Sequence, residues 1–414
     1  MLPTFVEVDV PDQGKQTLIN SLKRFVLSGN VVPSQQNLIT KIPAATATNP
    51  GVSLPIPLEG PQDAHTELHS ITGAQGLNLF GMGTISSVGA VVTGVGTKFL
   101  SQVAVGDTIL EPAGQSKTVL SITSDTVLNT TANFAPALSN VNFVVTTPIV
   151  ADVRDRMTVT IHDVSYNRLL MNAPVPCNHI FGDNQKPSML CERIFLQKNH
   201  VLRYQFFNNS TSGAGSMGFT MEGRKWQIEA SENYPEVDKL MKSFVARETF
   251  LSPYWLTLET SPGTTKTTIP AGGNINQFLR NTGSNWLFLF FAYGHGISTG
   301  AAGETTEMFS FELFDKETDT PLQRMPATLN TGLGTAQNPY RFPTPIIMKP
   351  RSQLRVNFTN LITDQATDVF MTLGGVALLD ASTGIADPAI MNEARRIYDA
   401  TSPELIQVAG DVNS

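Results

Sequence analysis

LRVNFTN, residues Leu354–Asn360, reads as one short alternating strand, and LRYQFFN at Leu202–Asn208 is its near copy 152 residues upstream. Sliding the chain on itself by that offset extends the match without a gap. Asp163 falls on Asp315, Leu170 on Leu322, Pro174 on Pro326, Gly182 on Gly334, Gln185 on Gln337, Pro187 on Pro339 and Ile194 on Ile346. Within the two strands Arg203 falls on Arg355, Phe206 on Phe358 and Asn208 on Asn360. Self-similarity at a fixed period marks a duplicated structural unit. The shared segments MTVTIHD (157–163) and FSFELFD (309–315) alternate apolar and polar residues, the period-2 pattern of a half-buried strand. RIFLQKNHVLRYQFFN and PIIMKPRSQLRVNFTN each read as strand, short turn, strand, with Pro and Gly marking the turns around them. The expectation is a mainly-β chain of two tandem antiparallel β-sandwiches, of jelly-roll or immunoglobulin-like type, with short linking helices.

Composition agrees with that class. A chain of 414 residues exceeds one compact core and calls for two or three domains. Charged residues make up only 15%, while 32 glycines and 26 prolines suit short strands joined by many turns. The net charge of −7 argues against a nucleic-acid partner, whose footprint is a basic face. MLPTFVEVDVPDQGK has no basic n-region or apolar core, so no secretory signal is read there. The most apolar run, NWLFLFFAY (285–293), is far short of a spanning helix, and no membrane partner is expected. Two cysteines make no disulfide framework, which fits folding in a reducing cytoplasm.

Three helices punctuate the strands. DQGKQTLINSLKRFVLSG places Leu18, Leu22, Phe25 and Val26 on one face and ends at Gly29. YPEVDKLMKSFVAR has Pro235 at its first turn, and ADPAIMNEARRIYDA has Asp387 as N-cap before Pro388. LKRFV in the first helix resembles MKSFV in the second, but at an offset of 219 residues. The two offsets differ by 67, which predicts an insertion of that size in the first copy. Residues 81–147 supply it: their Val, Thr, Gly and Ser-rich sequence reads as five or six short strands, an SH3-like small barrel. The expected division is an arm and helix over 1–29, then a sandwich over 30–230 interrupted by the module at 81–147. A linking helix over 231–250, a second sandwich over 251–380, and a helix and tail over 381–414 follow.

The module carries a motif, G-T-x-F…V-G-D-x-I, at Gly96, Thr97, Phe99, Val105, Gly106, Asp107 and Ile109. It resembles small β modules of tailed-bacteriophage virion proteins, and the tandem sandwiches look like accessory structural proteins of phage heads and necks. The resemblance covers about a sixth of the chain and transfers no functional residue. It implies a virion structural protein that acts without cofactor.

Chemical motifs were weighed against that expectation. GISTG (296–300) fits G-x-S-x-G beside His295, but AAGETTEMFSF after it reads as a loop, not the helix a nucleophile elbow needs. Cys177, His179, Cys191 and His200 have zinc-ligand chemistry without a standard spacing, and the second copy has Leu329, Thr331, Pro343 and Ser352 there. HTELH (65–69) spaces two imidazoles for a helix face, yet its surroundings read as a strand. SPGTTKTT (261–268) lacks the glycine a phosphate loop places before its lysine, here Lys266. No catalytic residue, cofactor or metal is assigned, and an enzyme is not expected.

What remains is a building block. The expected role is decoration or stabilisation of a capsid through subunit contacts, with a neck, collar or tail-fibre adaptor as the alternative. Partners would be the chain itself and other virion proteins, in the virion after assembly in the host cytoplasm. The extended ends are expected to dock on neighbouring subunits. Arg203 and Arg355, the charged residue both copies keep, are the candidate subunit contacts, against the plainer reading of a stem covering the sheet with its head in water. Asn208 and Asn360 read as strand-ending turn residues. A function of another class is carbohydrate binding through an aromatic platform, and a host surface glycan is a further expected partner, reached by exposed loops or the inserted module. Trp226, Trp255, Trp286 and Tyr254 are the platform's aromatics, with Tyr254 and Trp255 of SPYWLTLE the expected exposed contacts.

Overall fold

The computed structural model describes residues 12–378, except 47, 76–77, 147–155, 184, 212, 229–232, 249–250, 260–265, 299–308 and 324. The expected arm at 1–11, the loop after Ser298 and the helix and tail after residue 378 lie outside the described residues. Helix α1 (Asp12–Leu27) buries Leu22 and Phe25 and gives way to Gly29, whose φ of +76° a Cβ would disfavour. Four strands follow: β1 (Val31–Ile42), β2 (Gly51–Val52), β3 (Ile56–Glu59) and β4 (Ala64–Gln75). HTELH is thus in strand β4, where its alternation places it.

The chain then leaves for the module: β5 (Asn78–Phe80), β6 (Thr84–Val88), β7 (Val91–Val95), a short helix α2 (Phe99–Gln102), β8 (Thr108–Leu110), β9 (Ser116–Ser124), β10 (Val127–Thr130) and β11 (Val144–Thr146). These seven strands form one sheet in the order β5-β11-β8-β9-β10-β7-β6, curled so that Ile85 bridges Val141. The count exceeds the expected five or six because β5 precedes Gly81. The module has its own core, including Phe99, Ile109, Val119, Leu128 and Phe143. The motif residues build it: Thr97 Oγ1 donates to the Asp125 carbonyl at 2.6 Å, Gly106 turns with φ +93°, and Asp107 accepts from the Ala104 N–H at 2.7 Å. Asn78 of β5 pairs with Thr146 of β11, so the module is entered and left through two adjacent strands.

The first sandwich resumes with β12 (Met157–Asp163), β13 (Arg168–Leu169), β14 (Val175–Pro176), helix α3 (Cys177–Ile180), β15 (Ser188–Leu196), β16 (Val201–Asn208) and β17 (Gly215–Gln227). Helix α4 (Pro235–Glu248) leads to the second sandwich: β18 (Leu251–Thr257), β19 (Thr267–Ile269), β20 (Asn274–Arg280), β21 (Trp286–Ser298), β22 (Phe309–Asp315), β23 (Thr320–Pro321), β24 (Ala327–Thr328), helix α5 (Leu329–Gly332), β25 (Tyr340–Met348), β26 (Gln353–Asn360) and β27 (Thr367–Leu378). Every element from β12 to β16 begins and ends 152 residues before its counterpart from β22 to β26.

The sheet orders are also duplicated. One sheet runs β1-β17-β4-β15 in the first sandwich and β18-β27-β21-β25 in the second; the other runs β13-β12-β16-β2 and β23-β22-β26-β20. First and last strands are neighbours, and most connections cross from one sheet to the other, with β12–β14 and β22–β24 each staying within one sheet. That is the interleaved order of a jelly roll, which decides between the two expected types. Each sandwich closes over its own core, one around Ile161, Leu202, Tyr204, Phe206 and Phe219, the other around Phe309, Phe311, Val356, Phe358 and Met371. Helices α1 and α4 pack on Phe195 and Trp226 at one end of the first sandwich.

Candidate functional site: the seam and the open edge

Strand β18 has no solvent face. On one side Leu256 enters the core of its own sandwich; on the other Trp255 enters the core of the first. The Trp255 N–H donates to the Leu170 carbonyl at 3.0 Å, and Met171 and Trp255 form a parallel bridge. Asn172 completes the clamp: its Nδ2 donates to the Thr257 carbonyl at 2.9 Å, and its Oδ1 accepts from the Thr257 N–H at 2.8 Å. Cys191 of β15 packs with Leu251, Phe288, Phe290, Val376 and Leu378 of the second sandwich. The seam is therefore packed like a domain interior.

A buried polar chain crosses it. His179 of α3 shares a hydrogen bond of 2.9 Å through Nε2 with His295 Nδ1, and another of 2.9 Å through Nδ1 with Thr372 Oγ1. Thr372 Oγ1 donates to Thr257 Oγ1, which donates to the Met371 carbonyl, both at 3.1 Å. One proton arrangement satisfies this chain with both rings neutral: His295 donates to His179, and His179 donates to Thr372. Burial, reinforced by the neighbouring His295, holds the His179 pKa well below its ordinary 6.5. At the seam's rim Asp368 is nearly inaccessible yet accepts from Lys266 at 2.8 Å and Arg156 at 3.1 Å. Burial alone would raise the Asp368 carboxyl; hydrogen bonds from Lys266 and Thr268, with the Lys266 and Arg156 charges, outweigh it and lower it.

The edge that β18 covers has an uncovered twin. Leu170, Met171, Ala173 and Leu190 of the first sandwich are each at most 7% exposed. At the aligned edge of the second sandwich Leu322 is 44%, Met325 73% and Tyr340 36% exposed, and Ile347, whose counterpart Phe195 lies under helices α1 and α4, is 39% exposed. With Phe342 they line a groove of about 750 Å³ between β25 and the β23–β24 edge, whose walls also carry Asp315, Glu317, Gln323 and Lys349.

The proposed zinc ligands do not converge. Cys177 lies in the first sandwich's core and Cys191 in the seam, His179 pairs with His295, and His200 Nε2 bonds Asp163 at 2.9 Å. Trp255 and Tyr254 require a correction. Trp255 is 4% exposed, Tyr254 is half-buried against the second core, and burial pushes the Tyr254 phenol up to about 12, so the expected exposed glycan platform is not there. Trp226 is also buried, its indole N–H donating to Glu67. Arg203 stands exposed between the register partners His162 and Pro57. Arg355 lies over the Phe314 ring at 4.1 Å and pairs with Asp319 at 2.8 Å, so this copy of the repeated arginine has a partner within its own chain. Asn208 and Asn360 do more than end a strand. Both are buried, donate to loop carbonyls including Gly213 or Gln365 at 2.8 Å, and accept an N–H two residues on at 2.9 Å.

Sequence reasoning missed the seam. Its signal is where the duplicate breaks: Met171 against Gln323, His179 against Thr331 and Cys191 against Pro343 are positions covered in one copy only.

No protein-family model and no curated protein matches the chain. Several solved structures align with it. An atomic structure of Sulfolobus Turreted Icosahedral Virus aligns over 89% of this chain and 96% of its own at 9% identity and a TM-score of 0.34. The Faustovirus major capsid protein aligns over 84% and 91% at 7% identity and a TM-score of 0.25. PNGF-II aligns over 89% and 68% at 9% identity and a TM-score of 0.27. These superpositions are loose and assign no role to any residue.

Proposed function

We propose that this chain is a structural protein of a virus particle, acting without cofactor or catalytic step by burying surface between copies of itself and against other virion proteins. The observation that carries this reading is the open edge of the second sandwich. A chain that buries this edge in one copy and leaves Leu322, Met325, Tyr340 and Ile347 bare in the other is unfinished as a monomer. The duplicated jelly rolls and their packed seam supply a rigid block, which is what a shell component needs. The module motif supports a tailed-phage setting, with assembly in the host cytoplasm.

Within the particle, a decorating or minor capsid place is the first reading. A neck, collar or fibre-adaptor place is the second, favoured by apolar side chains that the module leaves in water: Val88, Val95, Leu100, Val105 and Leu120 are each more than half exposed. We take residues 78–146 as a separable unit, because the strands that enter and leave it are paired neighbours. Removing them and measuring the native mass separates peripheral from scaffold roles. An unchanged oligomer is expected; a variant that folds but no longer assembles would make the module part of the scaffold. Arg203 is retained as a subunit contact by proposal.

A further inference from the structure

The groove on the second sandwich can be assigned an occupant, because its twin is filled within the same chain. What fills the twin is β18, and the sheet register identifies its counterpart in the first sandwich. Val31 of β1 pairs with Trp226, and Leu251 of β18 pairs with Leu378, where Trp226 and Leu378 are 152 residues apart. In this register Pro33 corresponds to Pro253, Gln35 to Trp255 and Asn37 to Thr257. Trp255 is buried in the seam, whereas Pro33, Gln35 and Asn37 are exposed. The molecule thus carries both halves of a second seam: a groove on the second sandwich, and on the first a strand face where Gln35 bonds Glu222 and Asn37 accepts from Thr220 of the neighbouring β17.

We propose that the groove lined by Leu322, Met325, Tyr340 and Ile347 receives the outer face of β1 from a second copy of this chain. The side-chain volumes compensate. On the first sandwich's edge Ala173 and Ser188 are small buried residues, and the large knob of the seam is Trp255. Between copies the smaller Gln35 meets Met325 and Tyr340, which replace that alanine and serine at the 152-residue offset. The polar β1 face also explains how it stands in water before assembly, whereas the apolar β18 face does not separate. The contact is heterologous, since the two copies contribute different patches. Repeated, it closes into a ring or runs on as a filament, and the rotation between sandwiches decides which.

This inference rests on the self-assembly reading, and its test separates the two. Chains carrying Gln35→Cys and chains carrying Met325→Cys, each full length and differently tagged, are co-expressed and treated with a short bis-maleimide. Cys177 and Cys191 are buried, and burial raises both thiol pKa values, which keeps the native thiols unreactive. The expected product is a covalent dimer containing both tags, with no dimer from either variant expressed alone. Met325→Arg, at a site 73% exposed, is expected to retain the parent's thermal stability and to run as a monomer. An oligomer that forms no mixed cross-link and survives Met325→Arg would overturn the groove assignment and leave self-assembly standing. A monomeric parent would overturn both. Protection of Met325→Cys from maleimide in a monomer, lost on deleting residues 401–414, would overturn the second copy in favour of the chain's own C-terminal segment.

Discussion

His179 is the side chain on which the seam's pH response turns. Its folded pKa lies below its ordinary 6.5, so the unfolded chain takes up a proton that the folded chain refuses. Stability from this group is complete above pH 6.5 and falls as pH drops from there toward the folded value. The slope approaches about 1.4 kcal/mol per pH unit for one such group. Denaturant melts of His179→Gln between pH 5 and 7 are expected to show a shallower loss by about that slope. Equal slopes in variant and parent would show that His179 does not stay neutral. Glu67 acts in a lower window. Burial would raise its carboxyl, but the His69 imidazole 3.3 Å away and the Arg193 charge hold it at about 2, so its contribution is present above 4.5 and is lost as pH falls toward 2. Trp255→Ala would open the seam where the ring enters the first core, at a cost of about 3–5 kcal/mol, measurable by urea unfolding. A cost below about 1 kcal/mol would mean that the ring is not buried. None of this was legible locally. His179 read as a possible zinc ligand and His295 as the neighbour of a G-x-S-x-G, because nothing in either segment tells that they meet across 116 residues.

Strands and turns were far more legible, since their determinants are local. Period-2 alternation placed β12 and β22, and the Pro and Gly positions placed the loops between them. The repeated glycine shows why the echo persists. Gly182 donates to the Ile71 carbonyl and accepts from Gly73, while Gly334 donates to the Ala292 carbonyl and accepts from Gly294. A Cβ on Gly334 would sit 2.0 Å from the Asn338 carbonyl oxygen, which leaves no room for any other residue. Gly334→Ala is expected to cost about 1–3 kcal/mol by overpacking, seen as a lowered melting temperature; an unchanged one would contradict the close approach. Asn360→Ala removes the donor to the Pro270 and Gln365 carbonyls, with about 1–3 kcal/mol lost for each buried group left unpaired. Its turn reading was right about place and silent about burial, because an isolated asparagine does not announce the loops it ties.

At the scale of the molecule, subtraction of two repeat offsets pointed to the inserted module, and the sheets show one jelly roll that the module interrupts and a second that follows it. The asymmetry between the copies leaves only a faint trace in the sequence, at Met171 against Gln323, His179 against Thr331 and Cys191 against Pro343; the same edge is sealed in one sandwich and bare in the other, which the three-dimensional neighbours display. That asymmetry carries the claim that the chain is a self-assembling structural protein. Native mass spectrometry of the purified full-length chain tests it most directly. The account predicts a discrete species, or a series, at whole multiples of 44.8 kDa greater than one. A single species at 44.8 kDa, unchanged as concentration rises to the micromolar range and above, would contradict it.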